Sequence, residues 1–155
     1  MSRSETFRAG VGAVVGHASG LVLAFEREAR PGSWQFPQGG IDVDEAVEAA
    51  LWRELWEETG LGPSHVRMVS EVPVWLGYEH PAEYQTAKSR RGQTHRWFIL
   101  SASSLELPID LGASGDPEFQ AWQWMTPESV IEHAIEFRRP VYRFLMAHLA
   151  TVAGL

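Results

Sequence analysis

The stretch Gly39-Gly40-Ile41-Asp42-Val43-Asp44-Glu45-Ala46-Val47-Glu48-Ala49-Ala50-Leu51-Trp52-Arg53-Glu54-Leu55-Trp56-Glu57-Glu58-Thr59-Gly60-Leu61 decides the fold. From Asp42 to Thr59 it reads as one helix. Asp42 with Glu45 three residues on has the form of a capping box, and Gly60 followed by Gly62-Pro63 stops the helix. Val47, Ala50 and Leu51 are apolar on one side, and Ala49, Trp52, Leu55 and Trp56 on the other, so packing on both sides is expected. Glu54, Glu57 and Glu58, at i, i+3 and i+4, share one face. Like charges at that spacing repel by roughly a few tenths of a kcal/mol per pair. They also stand in the last turn, where the helix dipole favours cations. Stability alone does not choose this arrangement. A hard divalent cation would, because Mg²⁺ takes carboxylate oxygens together with water and substrate phosphate. Three glutamates on a generic helix are more simply a solvated acidic end with Arg53 as partner, so the flanking sequence must decide.

Outward from the helix, Phe7 to Phe25 reads as two strands joined by a turn at His17-Ala18-Ser19-Gly20. Ala29 to Gly40, rich in Gly and Pro, reads as a loop. Met68 to Tyr78 and Arg96 to Ser101 read as strands, with a polar loop from Glu79 to Gln93 between them. Phe119 to Met125 alternates as a strand does. Thr126-Pro127 is an N-cap with Pro at the first helical position, and Arg139-Pro140 opens a last helix through Leu149. The sum is α/β, a mixed sheet with one central helix and a helical C-terminus.

The 155 residues suit one domain. Hydrophobic residues at 45% allow a real core, and 21% charged residues are too few for a disordered chain. No apolar run is long enough to span a membrane, and Met1 to Thr6 lacks the apolar stretch of a signal peptide. The absence of cysteine excludes disulfides, thiolate zinc sites and a cysteine nucleophile, and suits a cytoplasmic protein. The six histidines show no zinc spacing and read as incidental. Gly12 and Gly16 lack the lysine and helix of a Walker loop, and Ser33 and Ser64 lack a nucleophile elbow. With a net charge of −7, a polyphosphate ligand must be met by a local basic patch or by metal.

Gly39, Glu45 and Arg53-Glu54-Leu55-x-Glu57-Glu58-x-Gly60-Leu61 match the Nudix box at every fixed position, and the chain is identified by them as resembling the Nudix hydrolases. Trp34-Gln35-Phe36-Pro37-Gln38-Gly39-Gly40-Ile41 is similar to a segment shared by the bacterial RNA 5′-pyrophosphohydrolases and the plant-type and bacterial dinucleoside polyphosphate hydrolases. Gly92-Gln93 before Arg96-Trp97-Phe98, and Pro117-Glu118-Phe119 with Trp122 and Trp124, resemble the same groups. So do Phe7-Arg8, and Phe137-Arg138 with Val141-Tyr142. Asp44 departs from the pattern, standing where a glycine is usual, and the loops Phe25 to Ser33 and Glu79 to Arg91 also differ.

The resemblance implies a single Nudix domain over 1–155, an α/β/α sandwich with a mixed sheet and the box helix packed on it. It implies that Glu54, Glu57 and Glu58 hold Mg²⁺, or Mn²⁺, which fits the same oxygens. The carbonyl of Gly39 or Gln38 and the carboxylate of Glu118 would assist. Metal neutralises the phosphoanhydride and acidifies the attacking water, and a glutamate accepts the proton: Glu58 or Glu57, with Glu118 a lesser candidate. Arg53 pairs with Glu45 and orients a glutamate of the catalytic set. Basic candidates for the polyphosphate are Arg8, Arg27, Arg30, Lys88, Arg90, Arg91, Arg96 and Arg138, with Lys88, Arg90 and Arg91 as a local patch. Arg8 and Phe137 match positions that contact the base, Gln38 is a substrate contact, and Tyr78 is a candidate beside the phosphates. The tryptophans read as core or wall.

The implied substrate is a dinucleoside polyphosphate such as diadenosine tetraphosphate, or the 5′-triphosphate end of RNA. The acidic charge favours the former. The alternatives are a housecleaning hydrolase of mononucleotides or sugar nucleotides, and a non-catalytic nucleotide-binding module, against which the intact set of box glutamates counts.

Overall fold

The computed structural model describes residues 5–155, so the polar start, residues 1–4, lies outside the described residues. In chain order the strands are β1 (Phe7–Gly16), β2 (Val22–Arg27), β3 (Trp34–Gln35), β4 (Gln38–Gly40), β5 (Arg67–Glu71), β6 (Leu76–Glu79), β7 (Gly92–Ser101) and β8 (Phe119–Met125). The helices are α1 (Val47–Thr59), α2 (Pro127–His133) and α3 (Arg139–Leu149). β1 and β7 lie parallel at the centre, in register from Phe7 beside Gly92 to Gly16 beside Ser101. The other pairings are antiparallel: β4 and β2 against β1, β3 and β8 against β2, β5 and β6 against β7.

Strand side chains alternate between faces, and here both faces are buried. Val11, Ala13, Val15, Leu23 and Phe25 join Ala50, Leu51 and Leu55 of α1 in one core. Val14, Val22, Ala24 and Trp97 join Tyr142, Leu145 and Met146 of α3 in the other. The result is the expected sandwich of helices on both sides of a mixed sheet. Gly12 is required by this packing, since a Cβ there would collide with the Trp97 ring.

α1 is shorter than the sequence reading. It begins at Val47, and its N-cap, Ala46, has no side-chain cap. The carboxylate of Glu45 does accept the N–H of Asp42, at 3.0 Å, but this closes a turn ahead of the helix. Asp44 in that turn has φ 61°, the left-handed region. The residue that departs from the family pattern therefore sits where glycine is least strained, and Asp is among the few other residues tolerated there. Asp44→Gly is expected to raise stability by about 0.5 kcal/mol, relief of strain being partly offset by the entropy of a more flexible unfolded chain. Urea denaturation checks this, with unchanged hydrolysis as the control.

Nor is α1 packed on both sides. Ala49 is exposed and Trp56 is 50% exposed, because the helix lies on one face of the sheet with solvent behind it. Trp122 is likewise exposed, whereas Trp97 is fully buried and Trp34, Trp52 and Trp124 pack on the cores. The single strand read over Met68 to Tyr78 is two, interrupted at Val72-Pro73-Val74-Trp75, where proline supplies no N–H to the ladder. Ala29 to Gly40 is not wholly loop, since it contains β3 and β4. The strand read from Arg96 extends back to Gly92. Phe119–Met125 and Arg139–Leu149 fall where read, and the Thr126 hydroxyl caps α2 by accepting the Ser129 N–H at 3.2 Å.

Candidate active site

β4 carries Gln38 and Gly39 between β1 and the C-terminal half of α1. The approach is so close that a Cβ on Gly39 would collide with the carboxyl of Glu54. Only glycine lets the backbone pass there. Arg53 fixes the junction. Its Nε and Nη2 donate to the two oxygens of Glu45, at 2.7 and 2.8 Å, and Nη2 also reaches the Gly40 carbonyl at 2.8 Å. Its Nη1 donates to Glu54 at 2.8 Å and to Glu57 at 3.3 Å. The Arg53 hydrogen bonds hold the Glu45 carboxyl down to a pKa of about 2. Arg53 is thus a rigid fork of the kind lysine cannot supply, tying the loop before α1 to the carboxylates at its end.

Glu58 is buried, and the hydrogen bond it accepts is from the backbone N–H of Gln38 at 3.2 Å. Burial pushes its pKa well up, and the nearby Glu118 and Glu54 carboxylates push it further. The pKa of Glu54 is raised by burial and by Glu57 and Glu118, against the pull of Arg53. Glu118 arrives from the segment before β8. Its carbonyl is anchored by the Glu28 N–H at 2.9 Å. Beside it the β2–β8 register shifts between Glu26 and Arg27, an irregularity of the kind that re-aims side chains.

Glu54, Glu58 and Glu118 line a cavity of about 300 Å³. Arg8, Arg27, Lys88 and Arg138 line the same cavity, with Gln38, Gly39 and Gln93. Behind them is a buried network: Gln38 Nε2 donates to Tyr78 Oη at 3.1 Å and to Gln93 Oε1 at 3.2 Å, and Tyr78 Oη donates to Gln93 Oε1 at 2.7 Å. His95 also faces the cavity. Burial brings its pKa down to about 3, with Arg138 and Arg8 adding to the effect, so the ring is neutral near pH 7. A second cavity, about 250 Å³, adjoins the first through Arg27 and Arg138 and is walled by Phe137, Tyr84, His80 and Arg30. Arg30 donates to Tyr84 Oη at 3.0 Å and lies over its ring.

The structure thus gathers Arg8, Arg27, Gln38, Gly39, Glu54, Glu58, Lys88 and Glu118, and leaves other sequence candidates elsewhere. Glu57 turns to Arg53, and neither lines the cavity. Tyr78 is buried behind Gln38 as a support and does not line this cavity. Phe137 lies in the second cavity. The basic patch is broken up: Arg91 pairs with Glu79, Arg90 has φ 60° and reaches the Phe7 carbonyl at 3.5 Å, and Lys88 alone of the three lines the cavity. Arg96 pairs with Glu71. His80 and His95, read as incidental, are walls of the two cavities. Their signal was weak in the sequence, because no metal spacing marks them. Gln93 was marked only as part of the Gly92-Gln93 resemblance.

The acidic wall fits a divalent cation. Among the described residues no three carboxylates already surround one point at ligand distance, and Glu54 and Glu57 are engaged by Arg53. Mg²⁺ needs only one or two carboxylates, completing its shell with water and phosphate. The buried Glu58, with two carboxylates near it and one backbone donor, is a group whose ionised form a cation would stabilise.

Residues 6–145 match the family model for the NUDIX domain. The chain is 40% identical to the RNA pyrophosphohydrolase of Shewanella loihica, over 99% of this chain and 89% of the relative. It is 40% identical to that of Shewanella pealeana, over 97% and 88%. Among solved structures it is similar to the E. coli dihydroneopterin triphosphate pyrophosphohydrolase, with a TM-score of 0.73 at 17% identity, covering 93% of this chain and 99% of that one. A C. elegans Ap4A hydrolase gives a TM-score of 0.69 at 20% identity, covering 92% and 98%. At those identities the structural likeness speaks for the fold.

Proposed function

The chain belongs to the Nudix family, and on that footing we propose that it is a divalent-cation-dependent pyrophosphohydrolase acting on the triphosphorylated 5′ end of RNA. The observation that carries this is one cavity with a wall of carboxylates facing a wall of guanidinium and ammonium groups. The acidic wall suits the cation, and the basic wall suits the phosphates. The relatives named RNA pyrophosphohydrolase move the substrate from the dinucleotide, favoured by the net charge of −7, toward RNA. The local charge weakens the argument from the global charge: Arg8, Arg27, Lys88 and Arg138 offset it where the substrate would sit.

Glu54, Glu58 and Glu118 would hold Mg²⁺ or Mn²⁺, assisted by the Gly39 carbonyl. The cation supplies charge neutralisation and an acidified water. Glu58 is the proton acceptor. Of the two box candidates it alone lines the cavity. Arg53 and Glu45 position Glu54 and hold the loop. Arg8, Arg27 and Lys88 orient the phosphates, and Phe137 offers an aromatic face to a base. The products are a 5′-monophosphorylated RNA and pyrophosphate, or two orthophosphates.

The test is incubation with Mg²⁺ and a short 5′-triphosphorylated RNA, with diadenosine tetraphosphate in a parallel reaction. Conversion of the RNA to its 5′-monophosphate, faster than cleavage of the dinucleotide, is the expected result. Cleavage of the dinucleotide alone would return the substrate to the dinucleoside polyphosphates.

A further inference from the structure

Arg138 is 6% exposed, yet among the described residues it has no carboxylate partner. Its Nε donates to Tyr78 Oη at 3.2 Å and its Nη1 to Gln35 Oε1 at 2.6 Å, both neutral acceptors. Its Nη2 donors have no protein acceptor among the described residues. The guanidinium is held over the rings of Tyr78 and Phe137, 5.7 Å from each centroid. A buried cation with no counter-charge beside it is costly, and a purely structural arginine is normally given an acid.

Arg138 stands at the junction of the two cavities and lines both. The second cavity also has a buried hydroxyl without a partner among the described residues, Ser33 Oγ, which can donate to an anion. A buried fork aimed by neutral supports, with free Nη2 donors and an orphaned hydroxyl in the adjoining cavity, has the character of a site completed by an anion. Glu58 stabilises the charged form by its charge and does not quench it with a hydrogen bond.

We propose that Arg138 is an anion-binding and specificity residue, which receives a phosphate oxygen of the substrate where the polyphosphate cavity opens into the aromatic one. This rests on the reading of the cavity as a phosphoanhydride hydrolase site. Two sources offer the same oxygen, the polyphosphate chain itself and the phosphodiester that follows the first nucleoside. Gln35 and Tyr78 are positioning residues for the fork, and their neutrality keeps the charge available.

The test uses Arg138→Met and Arg138→Lys, with binding measured by titration calorimetry in Ca²⁺ against inorganic tripolyphosphate and against a 5′-triphosphorylated dinucleotide. The metal-free thermal midpoint of each protein is measured alongside. Loss of a charge-assisted hydrogen bond corresponds to a weakening of about tenfold or more. The expected result is that weakening in the Met variant, a smaller one in the Lys variant, and a Met midpoint no lower than that of the unaltered protein, since an apolar side chain removes an uncompensated buried charge. Equal losses for both ligands identify the polyphosphate chain as the source, and a loss confined to the dinucleotide identifies the phosphodiester. Unchanged affinity for both overturns the proposal. So does a lowered midpoint in both variants with affinity falling alongside, which is the behaviour of a structural arginine. Hydrolysis by the unaltered protein keeps the two readings apart: turnover with unaffected variant binding sinks only the role of Arg138, and variant-sensitive binding without turnover sinks only the hydrolase.

Discussion

Glu58→Gln is expected to lower hydrolysis on the order of 10³-fold while raising the thermal midpoint of the metal-free protein at neutral pH. Both effects come from the same placement. The Glu58 carboxyl is buried and hydrogen-bonded to one backbone N–H, and its pKa is raised by burial and by Glu118 and Glu54. A carboxyl whose folded pKa lies above its unfolded one keeps a proton in the folded state that the unfolded chain has lost. Stability therefore falls as pH rises from about 4.5, at about 1.4 kcal/mol per pH unit, until the folded pKa is passed. Glutamine removes that dependence. The midpoint gap between variant and unaltered protein should be absent below about pH 4 and open upward from there. Mg²⁺ should narrow it by stabilising the unaltered protein more than the variant. Calorimetric scans across the pH range, with and without Mg²⁺, check all of this. A variant less stable than the unaltered protein at neutral pH without metal would contradict the assignment of Glu58 as a strained functional acid.

Arg53→Met is expected to impair both folding and turnover. Arg53 joins Glu45, the Gly40 carbonyl, Glu54 and Glu57 in one fork. Removing it leaves Glu54 partly buried without its partner and releases the end of β4, which carries Gly39, from the turn at Glu45. The expected cost is about 2 kcal/mol of stability, from lost hydrogen bonds to charged groups, and on the order of 10²-fold in kcat, as for residues that orient metal ligands. Because Arg53 does not line the cavity, KM should change much less than kcat. Lysine should recover little, since one ammonium cannot replace a planar fork serving several acceptors. Denaturation and steady-state kinetics decide: a rise in KM with kcat intact would make Arg53 a substrate contact instead.

Much of this arrangement is legible in the chain itself. The crowding of Glu54, Glu57 and Glu58 at the unfavourable end of a helix is a local fact of spacing, and so is the pairing partner for Arg53. What spacing does not carry is the direction of each side chain across the fold. Glu57 and Glu58 are adjacent in sequence, yet one turns to Arg53 and the other into the cavity, because only the side of α1 that packs on the sheet is buried. Lys88, Arg90 and Arg91 look like one patch, but a left-handed residue at Arg90 and the Arg91–Glu79 pair disperse them. α1 starts later than the capping-box spacing suggests for a similar reason, since Glu45 satisfies Asp42 in a turn that is closed before the helix begins. His95 and Gln93 reach the site through the parallel pairing of β1 with β7, a contact between distant segments that no local pattern announces.

Mn²⁺ binding reads out whether the carboxylates of this cavity hold a divalent cation with Glu58 as an essential member. Free Mn²⁺ would be followed by electron paramagnetic resonance near neutral pH, in the unaltered protein and in Glu58→Gln, with Mg²⁺ as competitor. Saturable binding displaced by Mg²⁺ and weakened at least about tenfold in the variant is the expected result. Equal Mn²⁺ affinity in the two proteins would contradict it and place the cation elsewhere.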